Sequence, residues 1–190
     1  MLKDYVIVDN VLREPELLVD LSRSIKYYTN EKKIAKGIQA TLIEESLQPL
    51  SGYWRGYRSE LLSIINKDLF LKINSNILEK AFHHNNFSYY IDSFLNLNDQ
   101  SIPYYDGWWH TDGGLIAGVI YLNENAPPNT GTLIKHNGTI INIENKFNRL
   151  VMYRTNLVHR PAGFFGDSLE TARSTFTFFI NELTLTSNNQ

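Results

Sequence analysis

Trp108-Trp109-His110-Thr111-Asp112, taken together with His159 and the run Arg173-Ser174-Thr175, is the part of this chain whose reading decides its fold. His110 and Asp112 stand two positions apart. On an extended strand successive side chains leave opposite faces, so these two leave the same face and can bind one ion from one side. A third ligand is still needed. His159 supplies it if residues 150–159, which read as a strand, lie across a barrel from the pair. His136 is a rival, but Lys135-His136-Asn137-Gly138 reads as a hairpin turn, where a histidine is usually exposed.

Bulk properties narrow the classes. A chain of 190 residues with 43% hydrophobic content is expected to form a single domain, 1–190, with a sizeable core. The formal net charge of -2 gives no basic excess to release counterions from phosphates, so no nucleic-acid partner is expected. Cysteine is absent, which removes disulfides and thiolate ligands and leaves nitrogen and oxygen to hold any transition metal. The sequence has no apolar run of about 18 residues, so no membrane association is expected. Its start, Met1-Leu2-Lys3-Asp4-Tyr5, lacks the apolar core of a signal peptide, and a cytoplasmic location is the expectation. No feature sets an oligomeric state.

Along the chain, residues 5–12 read as a short strand entering a turn. Pro15 then suits a first helical turn, with Leu17, Leu18, Leu21 and Ile25 at helical spacing through about Tyr28. Glu31, Lys32, Lys33 and Lys36 read as a solvated segment. Ring- and arginine-rich residues 51–59, flanked by glycines, could close a barrel or touch a substrate through Trp54, Arg55 or Arg58. Residues 60–65 and 74–84 look helical, with His83 and His84 placed to complement the helix dipole, and 87–97 reads as a strand. With no linker between them, residues 1–100 form a helix-and-strand cover and 101–183 the catalytic half.

After the His-x-Asp pair come Gly118-Val119-Ile120-Tyr121-Leu122-Asn123, the turn Asn129-Thr130-Gly131-Thr132, the strand ending near His159, and a strand opening at Arg173. Two imidazoles and a carboxylate with open positions is the donor set of non-haem Fe(II) oxygenases. In the order of these motifs the chain resembles the 2-oxoglutarate- and Fe(II)-dependent dioxygenases, particularly the prolyl-hydroxylase-like branch.

The resemblance implies a mainly β fold with an α cover, a double-stranded β-helix or jelly-roll barrel packed against N-terminal helices. It implies Fe(II) held by His110, Asp112 and His159, with 2-oxoglutarate and O2 as cosubstrates. The product chemistry would be hydroxylation of a C–H bond in an amino acid, a peptide or protein (prolyl-like), or a small metabolite, with release of succinate and CO2. Arg173, Thr175 and Tyr121 would bind the far carboxylate of 2-oxoglutarate, while Tyr104 or Tyr105 would touch cosubstrate or substrate. Alternation along the last strand puts Arg173, Thr175 and Thr177 on one face and Ser174, Phe176 and Phe178 on the other. A polar face inside a barrel suits a polar ligand.

Arg173 lies fourteen positions past His159, a longer gap than is usual in that family, so 163–171 is expected to be an inserted loop. Arg160 is a rival for the carboxylate, disfavoured because strand neighbours face opposite sides. Two other readings keep parts of the pattern. One is a metal-dependent cupin-like enzyme that does not use 2-oxoglutarate. The other is a non-catalytic jelly-roll binding module with Trp54, Trp108 and Trp109 as its contact surface.

Overall fold

The computed structural model describes residues 3–29, 43–45, 56–83, 87–102, 109–168 and 170–186. Its elements are β1 (Tyr5–Val8), α1 (Glu16–Ser22), β2 (Tyr27–Thr29), β3 (Ile43–Glu45), β4 (Tyr57–Ser59), α2 (Leu62–Ile65), α3 (Lys67–Phe82), β5 (Phe87–Asn98), β6 (Ile116–Tyr121), β7 (Thr132–His136), β8 (Thr139–Ile143), β9 (Leu150–Arg154), β10 (His159–Pro161) and β11 (Arg173–Leu185). An eight-stranded sheet has the order β1-β9-β6-β11-β5-β4-β2-β3, and a three-stranded sheet has the order β10-β7-β8. Every pairing is antiparallel except β2 with β3. The fold is mainly β, a jelly-roll with helices on one side.

The large sheet buries both of its faces. On β11, Phe176, Phe178 and Ile180 join Leu18, Leu69, Ile73 and Ile77 in the main core, so α1 and α3 cover that face. The alternate residues Thr175, Thr177 and Phe179 point the other way, into a cavity shared with the small sheet. Strand β6 splits likewise. Ile116 and Ile120 face the helices, while Ala117, Val119 and Tyr121 join Ile134, Val151 and Tyr153 between the sheets. Period-two alternation of this kind is what lets one strand serve a core and a site at once.

Local signals explain the element ends. Helix α3 starts where the Asn66 side chain accepts a hydrogen bond from Leu69 N at 3.0 Å, and it ends at His83, whose left-handed φ of 55° stops the helix. It therefore begins seven residues earlier than its apolar spacing alone indicates. Helix α1 is shorter than expected. It stops at Ser22, whose hydroxyl donates to Val19 O, and Tyr27 enters β2 with its hydroxyl donating to Ser22 O. The hairpin between β7 and β8 turns on Asn137 and Gly138, both at positive φ, as a two-residue loop of this kind requires.

The expected strand over 150–159 is two strands. β9 ends at Arg154, a turn closes with Leu157 N donating to Arg154 O, and β10 begins at His159 in the other sheet. This crossing carries His159 over the cavity. At Gly118 the strand passes so close to the Phe178 ring that an added Cβ would lie 2.3 Å from Cζ. Gly118→Ala is expected to lower stability by about 1–3 kcal/mol through overpacking, read as a fall in the midpoint of chemical denaturation.

The first strand is tied down by charge. Asp9 accepts from Arg149 Nε at 2.6 Å and from Lys146 Nζ at 2.8 Å, and these bonds, Arg149 first, hold its carboxyl well below the usual carboxylate range. A depressed carboxyl stabilises the fold above its unfolded pKa of about 4, and this contribution fades as pH falls through the folded value. Asp9 is largely open to solvent, so screening keeps the effect to about 1 kcal/mol or less. Asp9→Asn should show that deficit at pH 7, and in acid-induced unfolding the gap should begin to close only below about pH 4 and vanish in stronger acid, past the folded value.

Candidate metal centre and cavity

His110, Asp112 and His159 come together at one end of a cavity of about 620 Å³ between the two sheets, within the usual range for small-molecule sites. His110 and His159 form an isolated antiparallel bridge, each backbone N–H donating to the other's carbonyl, at 3.0 and 2.9 Å. Asp112 N donates to Thr155 O at 3.0 Å, which fixes the next turn of the same segment against β9. The expected shared face of His110 and Asp112 is thus realised, by pairing with residues 155–159 rather than by a long strand of its own.

One ligand atom from each of the three residues lies within 4.8 Å of the others. Asp112 Oδ2 is 3.2 Å from His159 Nε2, and Asp112 Oδ1 is 3.6 Å from His110 Nε2. Ligands about 2.1 Å from one ion and at right angles around it are about 3 Å apart, so the spacing suits three adjacent corners of an octahedron. The tautomer of His159 follows from its other nitrogen. Nδ1 is 3.0 Å from Leu157 O, and a carbonyl only accepts, so Nδ1 carries a proton and Nε2 is the ring nitrogen turned toward Asp112. Nε2 and Asp112 Oδ2 face each other at 3.2 Å, a spacing that a shared proton or a shared metal ion satisfies. The donor set therefore fits a divalent ion, with the Leu157 carbonyl orienting the ring as an outer-shell partner does.

Arg173 stands in the same cavity, 5% exposed. Its Nε donates to Thr130 O at 2.8 Å and its Nη2 to Gly131 O at 3.3 Å. Gly131 itself runs hard against the end of β8, since a Cβ there would lie within 1.8 Å of Ile143 O. No carboxylate among the described residues pairs with Arg173. Burial pulls its pKa down, partly offset by Tyr121 and Tyr153. Thr175 lines the cavity on the same face of β11, as alternation predicts. Tyr121 is not itself among the side chains that line the cavity. It is fully buried behind it, its hydroxyl donating to Thr132 Oγ1 at 2.7 Å and its ring 5.7 Å from the Arg173 guanidinium carbon.

The remaining expectations divide. Arg58 lines the cavity, its Nε donating to Asn96 Oδ1 at 3.0 Å. Trp54, Arg55, Tyr104, Tyr105, Trp108, His84 and the charged run 31–36 lie outside the described residues. Arg160 also reaches the cavity, but its guanidinium carbon sits 4.8 Å over the Trp109 ring. Lys135 Nζ lies 4.5 Å from the same ring, so Trp109 is engaged with cations instead of offering a free stacking surface. His136 is remote from the cluster. It pairs with Asp4 at 3.0 Å and meets Tyr5 edge-on, tying β7 to the segment that opens β1. Residues 163–168 and 170–171 carry no helix or strand, and Arg173 N donates to Phe165 O beyond them.

Thr132, Tyr153, Asn96 and Asp92 are among the cavity residues that sequence reasoning did not single out. Thr132 had a signal, standing directly after the Gly131 turn. Tyr153, whose ring packs 4.4 Å from that of His159, had none, because β9 is buried on both faces over Leu150–Tyr153.

Among the described residues no helix is long and apolar enough to cross a membrane. No family model and no curated protein matches the sequence. Solved structures do. The chain is similar to a prolyl-4-hydroxylase from Pseudomonas putida, at 16% identity and a TM-score of 0.57, covering 94% of this chain and 92% of that one. It is similar to a prolyl hydroxylase in complex with a hypoxia inducible factor oxygen degradation domain peptide fragment from Trichoplax adhaerens, at 12% identity and a TM-score of 0.54, covering 94% and 83%. A third is the non-haem α-ketoglutarate-dependent epimerase SnoN from nogalamycin biosynthesis, at 11% identity and a TM-score of 0.51, covering 98% and 82%. At these identities the likeness is one of architecture, and the chain has the jelly-roll fold of the prolyl-hydroxylase structures.

Proposed function

We propose that this chain is a 2-oxoglutarate- and Fe(II)-dependent dioxygenase that hydroxylates a C–H bond of an amino acid, a peptide or protein, or a small metabolite. The observation that carries the reading is one cavity holding both a two-histidine, one-carboxylate cluster and a buried guanidinium with no carboxylate partner among the described residues. A five-carbon diacid with a keto group beside one carboxylate is the ligand class that would satisfy both ends. Fold alone leaves the reaction open, since hydroxylases and an epimerase share it.

In this reading His110, Asp112 and His159 hold Fe(II), which supplies the activation of O2 coupled to oxidative decarboxylation of 2-oxoglutarate to succinate and CO2. The protein's work is placement. Leu157 O keeps the His159 ring turned so that Nε2 faces the ion. Thr130 and Gly131 carbonyls fix the Arg173 fork before any ligand arrives, and its remaining N–H groups reach the far carboxylate as a bidentate pair. Thr175 adds a hydroxyl donor from the same face, and Tyr121 supports that end of the cavity through Thr132. Val119, Phe164 and Phe179 line the walls and keep water from the reacting centre.

Anaerobic addition of Fe(II) and then 2-oxoglutarate tests the reading through the weak visible charge-transfer band expected of the chelate. Succinate formation on admission of O2 is the second readout. Neither band nor succinate, at millimolar 2-oxoglutarate, would sink it. A metal-dependent enzyme that does not use 2-oxoglutarate would bind Fe(II) yet release no succinate.

A further inference from the structure

Three of the described residues lining the cavity are arginines: Arg58, Arg160 and Arg173. Arg173 has its role in the oxygenase reading, and Arg160 is laid over Trp109. Arg58 has no role there. Its place is nonetheless built with care by three strands. β4 carries it opposite Asn96 of β5. Its Nε donates to Asn96 Oδ1 at 3.0 Å, and Asn96 Nδ2 donates onward to Thr177 Oγ1 of β11 at 2.6 Å. The guanidinium carbon also lies 4.9 Å from the centre of the Phe94 ring. A hydrogen bond at its edge and a ring against its face fix the plane of the group.

Asp112 acts on Arg58 through space, which places the guanidinium within electrostatic reach of the His110–Asp112–His159 cluster. Burial lowers its pKa to about 10, so it is a cation at neutral pH. Beside it the wall turns apolar. Phe94 and Phe179 meet edge-on with centroids 6.4 Å apart, and both line the cavity. An oriented, half-buried guanidinium next to aromatic rings is matched by a planar anion attached to an apolar body, because two parallel charge-assisted bonds form with little reorganisation.

We infer that the primary substrate is a small carboxylic acid whose carboxylate is held by Arg58 and whose carbon skeleton lies against Phe94 and Phe179, in front of the metal-binding cluster. This rests on the oxygenase reading for the reaction and adds the substrate class. Arg58 is then the specificity-determining residue, and the second guanidinium in the cavity serves the substrate as Arg173 serves the cosubstrate.

The test uses the full chain and a panel of amino acids, N-acetyl amino acids and simple monocarboxylic acids, each paired with its carboxamide, which keeps the size and loses the charge. Wild-type binding of Fe(II) and 2-oxoglutarate is measured first. Failure there overturns the oxygenase reading, and the substrate class is then read by calorimetry on the protein with no metal or cosubstrate added. At least one acid is expected to bind tenfold or more tightly than its amide and to speed succinate formation. Arg58→Met should erase that acid-over-amide ratio and Arg58→Lys restore part of it, whereas a merely structural role would lower stability and leave the ratio alone. Amides that match their acids in wild type, a panel in which no acid binds, or an Arg58→Met protein with the wild-type ratio would each overturn the inference. The wild-type ratio decides even if the variant fails to fold.

Discussion

Asp112→Ala is expected to abolish succinate formation and to weaken binding of a divalent ion by two orders of magnitude or more, about 3 kcal/mol. Asp112 supplies the carboxylate of the cluster among the described residues and lies within reach of both imidazoles, 3.2 Å from His159 Nε2 and 3.6 Å from His110 Nε2. Without it, two neutral nitrogens must hold a doubly charged ion, losing both a ligand and the nearest compensating charge. The fold should survive, because the backbone bond from Asp112 N to Thr155 O does not involve the side chain. Titration with Co(II), followed by its visible spectrum, separates loss of the ion from loss of structure. Asp112→Asn keeps the shape and removes the charge, and should fall between wild type and alanine. An alanine variant that takes up the ion as tightly as wild type would remove these residues from consideration as its ligands.

Arg173→Ala is expected to raise the concentration of 2-oxoglutarate needed for half-saturation about 100-fold, or about 3 kcal/mol, the scale for truncating one partner of a buried charge pair. The variant leaves the metal cluster intact, so ion binding should change little. It also orphans the carbonyl of Thr130, which accepts from Arg173 Nε, at a cost of about 1–3 kcal/mol in stability. Gly131 O keeps a second donor, Ala162 N at 2.9 Å, and is less affected. Arg173→Lys restores the charge but not the fork, and should recover only part of the affinity. The charge-transfer band, titrated with 2-oxoglutarate in each variant, checks both statements. Equal affinity in wild type and Arg173→Ala would show that another group anchors the cosubstrate.

Part of the cavity was legible in the residues themselves. Arg173, Thr175 and Thr177 share a face because strand geometry alternates side chains whatever the strand packs against, and all three line the cavity. Alternation was less useful on β6 and β9. Both are buried on two faces, so their apolar residues show no contrast, and Tyr153 could not be told from its core neighbours Val151 and Met152. Alternation sets Arg160 on the opposite side of β10 from His159, yet both residues border the cavity, with the Arg160 guanidinium carbon 4.8 Å from the Trp109 ring.

Element ends followed the same logic. The apolar spacing of α3 pointed to its second half, and the first half was hidden because Leu69, Phe70 and Leu71 stand in a row and show no helical period. Its true start is marked by the Asn66 cap, a signal carried by one side chain and one backbone N–H. The helix expected to run to Tyr28 stops at Ser22 because Tyr27 is drawn into the large sheet, where β4 pairs with it. That pairing joins residues about thirty positions apart, and no local propensity encodes it.

What the chain determined by itself were the relations between residues two to four positions apart: His110 and Asp112 on one face, the two faces of β11, the Asn137–Gly138 turn, and the chemical types of the ligands. Covalent geometry sets these relations before any tertiary contact forms. Only the folded sheets decided the rest. His159 meets Asp112 because the chain leaves β9 for the opposite sheet at residues 155–158, and Arg58 is aimed by Asn96 and Thr177, 38 and 119 positions away in sequence. Those meetings depend on strand order and register, which are properties of the whole sheet and of no single segment.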